Sequence, residues 1–210
     1  LLNMPKKIKI SKSMNFIDLF SGIGGFHIAL NRLGHKCVLA CDIDKKCREV
    51  YKKNHGIEPV DDIRKINEKT MPDFDILCAG FPCQSFSNAG KKQAFEDKVR
   101  GTLFFDIIRL AKEKQPKFMF LENVKHIKKV DEGSVFKTIL GALDEIGYHI
   151  EDEKSVFEIS PHDLGIPQDR KRIIFVCIRK DIHNPDKVID LGLQKNVLIN
   201  FENIIEKDVD

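Results

Sequence analysis

Four short segments of this chain carry residues able to do chemistry. The first is Gly80-Phe81-Pro82-Cys83-Gln84-Ser85-Phe86-Ser87-Asn88. A cysteine is a small apolar filler when buried and a nucleophile when exposed as thiolate. Here Pro82 precedes Cys83 and polar residues follow it, so the setting does not read as a core. The second is Leu121-Glu122-Asn123-Val124. A partly buried carboxyl rises in pKa and becomes a proton donor near neutrality. Taken alone, Glu122 reads equally as a helix-capping or salt-bridged residue. The third, Gln168-Asp169-Arg170-Lys171-Arg172, sets Arg170 and Arg172 on one side of an extended chain. Paired guanidiniums suit a phosphate or a carbonyl; by themselves they also describe a solvated basic edge. The fourth is Asp18-Leu19-Phe20-Ser21-Gly22-Ile23-Gly24-Gly25. Its glycines permit a tight turn and close approach of backbone to a ligand. The spacing is neither the dinucleotide fingerprint nor a Walker loop. Asp42 follows about twenty residues on, where an acid can hold ribose hydroxyls. A pocket for a nucleoside without a pyrophosphate grip is the expectation; a glycine turn of no chemical role is the alternative.

These residues need elements to position them, and strand and helix patterns alternate along the chain. Residues 16–20, 37–41, 74–79 and 118–121 read as buried strands. Residues 24–33 and 45–54 read as helices stopped at Gly34 and Gly56. Residues 81–101 read as a long loop, a length more often functional than not. Thr102 can cap a helix running to about residue 114, with Pro116 beyond it. Val135, Phe136, Ile139, Leu140, Leu143 and Ile146 mark the apolar face of a further helix ended by Gly147. Strands near residues 148–159 and 173–178 complete the pattern. Such βα alternation predicts an α/β fold, a doubly wound and mostly parallel sheet. The first, second and fourth segments then fall at a strand's C-terminal end, where such sheets bind ligands, and the third just precedes its strand.

Bulk properties narrow the field without naming a function. Of 210 residues, 42% are hydrophobic and 32% charged, ordinary for a globular domain. The net charge is 35 − 32 = +3, so any phosphate-binding face must be local. Six cysteines occur without a Cys-x-x-Cys pair or zinc-ligand His/Cys spacing, so no metal site is expected. They suggest a reduced, cytoplasmic protein without structural disulfides. No apolar run approaches the roughly 20 residues that span a bilayer, so no membrane partner is expected. Residues 1–13 are basic but lack the apolar stretch of a secretory signal.

Taken together and in this order, the four segments resemble the C5-cytosine DNA methyltransferase family, of the bacterial restriction–modification type. The resemblance runs from about Asn15 to Arg179, and Gly-Phe-Pro-Cys-Gln is its most specific part. It implies a Rossmann-like, S-adenosyl-L-methionine-dependent fold acting on double-stranded DNA. Cys83 would add to cytosine C6 and Glu122 would protonate N3. Arg172 would hold the cytosine carbonyl, and Arg170 would neutralise phosphate or help keep Cys83 ionised. The cytosine must leave the duplex to meet a thiolate. Residues 84–101 would close over it, with Gln84 and Ser87 toward the DNA. For the cofactor, Phe20, Gly22 and Gly25 match the family's methionine-binding turn. Asp42 and Ile43 match its ribose and adenine positions, Asp62 and Ile63 the pair that fixes adenine, and Pro82 and Leu103 the wall at the sulfonium. The family usually has glutamate where Asp42 stands, which implies looser ribose contacts.

The resemblance also implies a division of the chain. Residues 1–14 are an extension, 15–180 the catalytic cofactor-binding domain, and 181–210 a segment leading toward a target-recognition region. Residues 181–210 hold no Arg-x-Leu-Thr-like or Gly-Asn-Ser-like segment. A complementing chain would then supply what is missing. The competing expectations are an inactive remnant that binds cofactor or DNA, and an enzyme acting on RNA.

Overall fold

A computed structural model describes residues 12–82 and 103–186. Its strands are β1 (Asn15–Leu19), β2 (Lys36–Cys41), β3 (Ile76–Gly80), β4 (Phe118–Val124), β5 (Tyr148–His149), β6 (Val156–Ile159) and β7 (Arg172–Arg179). Its helices are α1 (Gly25–Arg32), α2 (Lys45–His55), α3 (Leu103–Lys114), α4 (Ser134–Glu145) and the single turn α5 (Asp152–Ser155). The sheet order is β2-β1-β3-β4-β7-β5, with β6 also on β7.

One strand of the sheet is reversed. β2, β1, β3 and β4 run parallel, as helical crossovers require. β7 alone runs the other way, antiparallel to β4, β5 and β6, so the described sheet is mostly parallel, as expected, with one reversed strand. The reason is local: residues 160–171 join β6 to β7 without a crossover helix, so β7 must return beside β6. The expected strand over 148–159 is broken by α5. β4 runs on to Val124 rather than ending at Leu121, because Glu122, Asn123 and Val124 pair with Ile174, Ile173 and Arg172.

Alternation along the strands splits the core in two. Ile17, Leu19, Leu77, Ala79, Met119 and Leu121 face one layer, packed by α3 and α4. Phe16, Ile76 and Cys78 face the other, packed by Leu30 of α1 and Tyr51 of α2. Helices on both faces make the sheet doubly wound. The chain proceeds outward from β1 to β2, then crosses back to β3 and on to β4. The strand order therefore reverses between β1 and β3, and ligand crevices open at the carboxyl ends of such strands.

Candidate active site

The residues after β1 form a strained turn at that crevice. Phe20, Gly22 and Gly24 all have left-handed backbone, at φ 54°, 53° and 97°. Ser21 N–H donates to the Cys41 carbonyl at 3.0 Å, tying the turn to the end of β2. Gly24 must be glycine for space as well: a Cβ there would lie 2.2 Å from His55 Nε2. A Cβ on Gly22 or Gly25 would meet nothing within 4 Å, so the outer side of the turn is open. Asp42 fastens the turn from β2. Its Oδ2 accepts from Gly22 N–H at 2.7 Å and its Oδ1 from Asp44 N–H at 2.8 Å. Each oxygen keeps a second lone pair for another donor. Beside this turn, Ile23 and Ile43 stand 61% and 72% exposed, an unusual apolar pair in solvent.

Beneath the turn lies a polar cluster that the sequence did not single out. Asp18 is fully buried and faces the α1/α2 layer. The Tyr51 hydroxyl donates to its Oδ2 at 3.3 Å and stands 2.8 Å from His27 Nδ1. His27 stacks on His55 at 4.1 Å, and His55 Nε2 stands 3.1 Å from the Ile23 carbonyl. Burial pushes the Asp18 carboxyl up to about 7, against the pull of Tyr51 and the His27 main chain; the Asp42 charge adds to the rise.

Asp62 and Ile63 occupy a short 3-10 turn, Ile63–Lys65, next to this end of the sheet. Asp62 caps it by accepting from Arg64 N–H at 2.9 Å and grips the Arg64 guanidinium through both oxygens. That pairing lowers its pKa to about 2. The Ile63 side chain is buried in the core, so its main chain is what the turn presents.

Glu122 and Arg172 meet directly. On the antiparallel ladder Glu122 faces Ile174, and Arg172 is its same-face diagonal neighbour. Arg172 Nε donates to Glu122 Oε1 at 2.6 Å, with both side chains partly buried. Desolvation raises the Glu122 pKa; Arg172 and then Arg170 oppose the rise. Arg172 bonds to the carboxylate and the Arg170 charge also acts on it, whereas their spacing alone pointed to a phosphate or a carbonyl. Gly80 pairs with Glu122 across β3 and β4, and a Cβ on Gly80 would come within 3.4 Å of the carboxylate.

Cys83, Gln84, Ser87 and the proposed cap Thr102 lie outside the described residues. The residues flanking that segment are tied down. Asn123 is 2% exposed, and its Nδ2 donates to the Phe81 carbonyl at 2.9 Å. The Phe81 and Phe104 rings stand 5.4 Å apart, bringing exposed Pro82 and half-buried Leu103 to the same side. Asn123 was legible only as a polar residue beside Glu122. Among the described thiols Cys47 is partly exposed and the other four are buried. Cys37, Cys41, Cys78 and Cys177 are buried, and burial raises all four pKa values. Among the described residues no three His, Cys, Asp or Glu side chains could hold a metal, and no helix is long and apolar enough to cross a membrane.

Comparison with known proteins places this geometry. The model of the C-5 cytosine-specific DNA methylase family matches residues 14–208. Type II methyltransferase M.HhaI of Haemophilus parahaemolyticus is 46% identical over 177 residues, covering 84% of this chain and 53% of that protein. Type II methyltransferase M1.ScrFI of Lactococcus lactis subsp. cremoris is 47% identical over 209 residues, covering 98% of this chain and 52% of that protein. Among solved structures, a DNMT2 variant of Spodoptera frugiperda superposes with TM-score 0.71 at 26% identity, covering 94% of this chain and 61% of that one. The chain spans about half the length of the curated relatives it matches. A crevice at the strand-order reversal, a carboxylate paired with Arg172, and a family match over nearly the whole sequence lead to one conclusion: the chain belongs to the C-5 cytosine-specific DNA methylases.

Proposed function

We propose that this chain is the catalytic part of a DNA (cytosine-5-)-methyltransferase of a restriction–modification system, working in the cytoplasm on a flipped-out cytosine. The observation that carries the reading is the Glu122–Arg172 pair beside the crevice, a carboxyl whose pKa is raised by burial and held in place by a guanidinium. C6 of cytosine is weakly electrophilic and C5 a poor nucleophile, so covalent activation is required. The Cys83 thiolate forms the S–C6 bond, and the displaced electron pair reaches N3, where Glu122 delivers a proton. C5, now enamine-like, accepts a methyl cation equivalent. Loss of the C5 proton to a base, with return of the N3 proton to Glu122, then re-forms the C5–C6 double bond and expels Cys83. Arg172 orients Glu122, gives one Nη1 hydrogen bond to the Lys171 carbonyl and keeps other donors for the cytosine carbonyl; Arg170 meets phosphate or favours the thiolate. Gln84 and Ser87 face the DNA.

S-adenosyl-L-methionine, when bound, supplies the electrophilic methyl group. The residues present fit it. The open turn at Phe20, Gly22 and Gly25 leaves room for close backbone approach. Asp42 keeps free lone pairs for ribose hydroxyls, and exposed Ile43 offers an apolar face to an adenine ring. Asp62, Ile63, Pro82 and Leu103 would complete the walls. Because the relatives are about twice as long, we infer that the residues reading bases in the groove belong to polypeptide outside this chain, in cis or as a complementing partner.

The test is a duplex containing 5-fluorocytosine, mixed with S-adenosylmethionine and the companion polypeptide. Fluorine at C5 blocks the final elimination, so a covalent adduct accumulates through Cys83. Cys83→Ala should abolish it; trapping by that variant equal to the parent would refute the nucleophile. A chain that traps nothing with any partner and binds no cofactor by calorimetry would be an inactive remnant.

A further inference from the structure

Arg109 stands midway along α3 and points at the segment carrying Asp62 and Ile63. Its guanidinium is partly buried and spends nearly all its donors. Nη1 donates to the Ile66 carbonyl at 2.9 Å and to Glu68 Oε2 at 2.5 Å. Nη2 donates to the Ile63 carbonyl at 3.1 Å and to Asp106 Oδ1 at 3.0 Å, with Nε reaching the same Asp106 oxygen at 3.3 Å. Asp106 is on α3 and Glu68 is not, so the two carboxylates fix the fork from both sides. The two carbonyls begin and follow the 3-10 turn that Asp62 caps. The Ile63 carbonyl also accepts from Ile66 N–H at 3.2 Å, so Arg109 braces the hydrogen bond that closes the turn. A rigid planar fork can hold two main-chain carbonyls and two carboxylates at once, and an ammonium cannot.

We propose that Arg109 is a positioning residue for cofactor binding: it holds residues 62–66 in their ligand-ready shape against α3, so that binding meets little ordering cost there. This rests on the reading that Asp62 and Ile63 hold adenine. Arg109 acts through the Ile63 main chain and touches no ligand itself. Because α3 opens with Leu103, the same clamp sets the spacing between the adenine turn and the wall assigned to the sulfonium.

The test measures S-adenosylhomocysteine affinity of the whole chain by calorimetry, well below melting. Arg109→Lys keeps the charge and should weaken binding about tenfold, with faster hydrogen exchange at residues 62–66 in the unliganded protein. Glu68→Gln leaves both carbonyl bonds and should stay within about twofold of the parent. Tyr148→Phe removes a buried hydrogen bond to the Pro116 carbonyl, 2.6 Å long and away from the turn; it should lower the melting temperature and leave affinity alone. Parent-like affinity and exchange in Arg109→Lys overturns the clamp while leaving the cofactor reading intact. So does an equal loss in Tyr148→Phe, which would make the effect one of general stability. If the parent itself does not bind, the adenine assignment falls and takes the clamp's role with it.

Discussion

Replacing Asp18 with asparagine should make the protein's stability respond differently to pH, by an amount the structure sets. Asp18 is fully buried, and among the described residues its Oδ1 accepts no hydrogen bond. Its carboxyl titrates at about 7 in the fold, against 3.8 for an ordinary aspartate. Between those values the folded state holds a proton that the unfolded chain has released. Stability therefore falls as pH rises from about 4 to about 7, and above that the folded state carries a buried carboxylate at full cost. Roughly three units at about 1.4 kcal/mol each gives a total on the order of 4 kcal/mol. Asparagine does not titrate. The stability difference, Asp18→Asn minus parent, should rise by about 3 kcal/mol from pH 5 to pH 8.5 and flatten above pH 7.5. Any fixed cost of burying an amide shifts the whole curve and leaves its slope unchanged. The groups facing Asp18 are Tyr51, His27, Cys37, Cys78 and Asp42. Burial raises the Tyr51 hydroxyl and the two thiols and lowers His27, so these four stay neutral over most of the range. The chain has no tryptophan, so urea unfolding is best followed by circular dichroism. A difference that stays level from pH 5 to pH 8.5 would mean that Asp18 is ionised throughout, and would refute the reasoning.

Arg172→Met removes the 2.6 Å partner of Glu122 and should cost about 1–2 kcal/mol in urea, less than for a fully buried pair. The Glu122 pKa should rise further, read by carbon NMR of labelled glutamate; an unchanged value would mean Arg172 does not govern it. Gly24→Ala meets both a left-handed backbone and His55, whereas Gly22→Ala meets only the backbone. The first should melt well below the second, and equal melting would show that the His55 contact is no constraint. Asn123→Ala strips the Phe81 carbonyl of its buried donor and should cost about 2 kcal/mol. It should also slow trapping of the fluorocytosine duplex, and an unchanged trapping rate would detach Asn123 from the positioning of Cys83.

The local parts of this fold were legible because local patterns cause them. Gly34 and Gly56 mark the ends of α1 and α2 by adopting left-handed backbone, at φ 83° and 71°. The apolar spacing from Val135 onward marks α4, and alternation along residues 16–19 marks a strand with both faces buried. What escaped was set between elements distant in sequence. Nothing near residue 121 announces that β4 continues to Val124, because β7 supplies the ladder from fifty residues away. Asp18 was visible as a charge inside an apolar run, but its neutralising surroundings come from α1 and α2. Arg109 reads as an ordinary exposed residue of an amphipathic helix until the 3-10 turn is placed against it.

The same side-chain device recurs around the crevice, and it explains why residues that need never touch a ligand matter there. Asp42 holds the Gly22 amide, Asn123 holds the Phe81 carbonyl, and Arg109 holds the Ile63 carbonyl. In each case a side chain from one element fastens the main chain of another at the point where a candidate ligand contact begins. Loops at strand ends lack ladder partners, and free main-chain groups there would otherwise turn to water and let the loops wander. Such bonds replace the missing ladder without adding bulk that would fill the crevice. They also make each contact depend on a second strand or helix, so the β1 turn, the 3-10 turn and the β3 end are held relative to one another. The proposed methyl transfer would need that relation more than it needs any single residue. Reacting groups must meet in a near-attack geometry, and misplacement by about 1 Å can cost a hundredfold in rate.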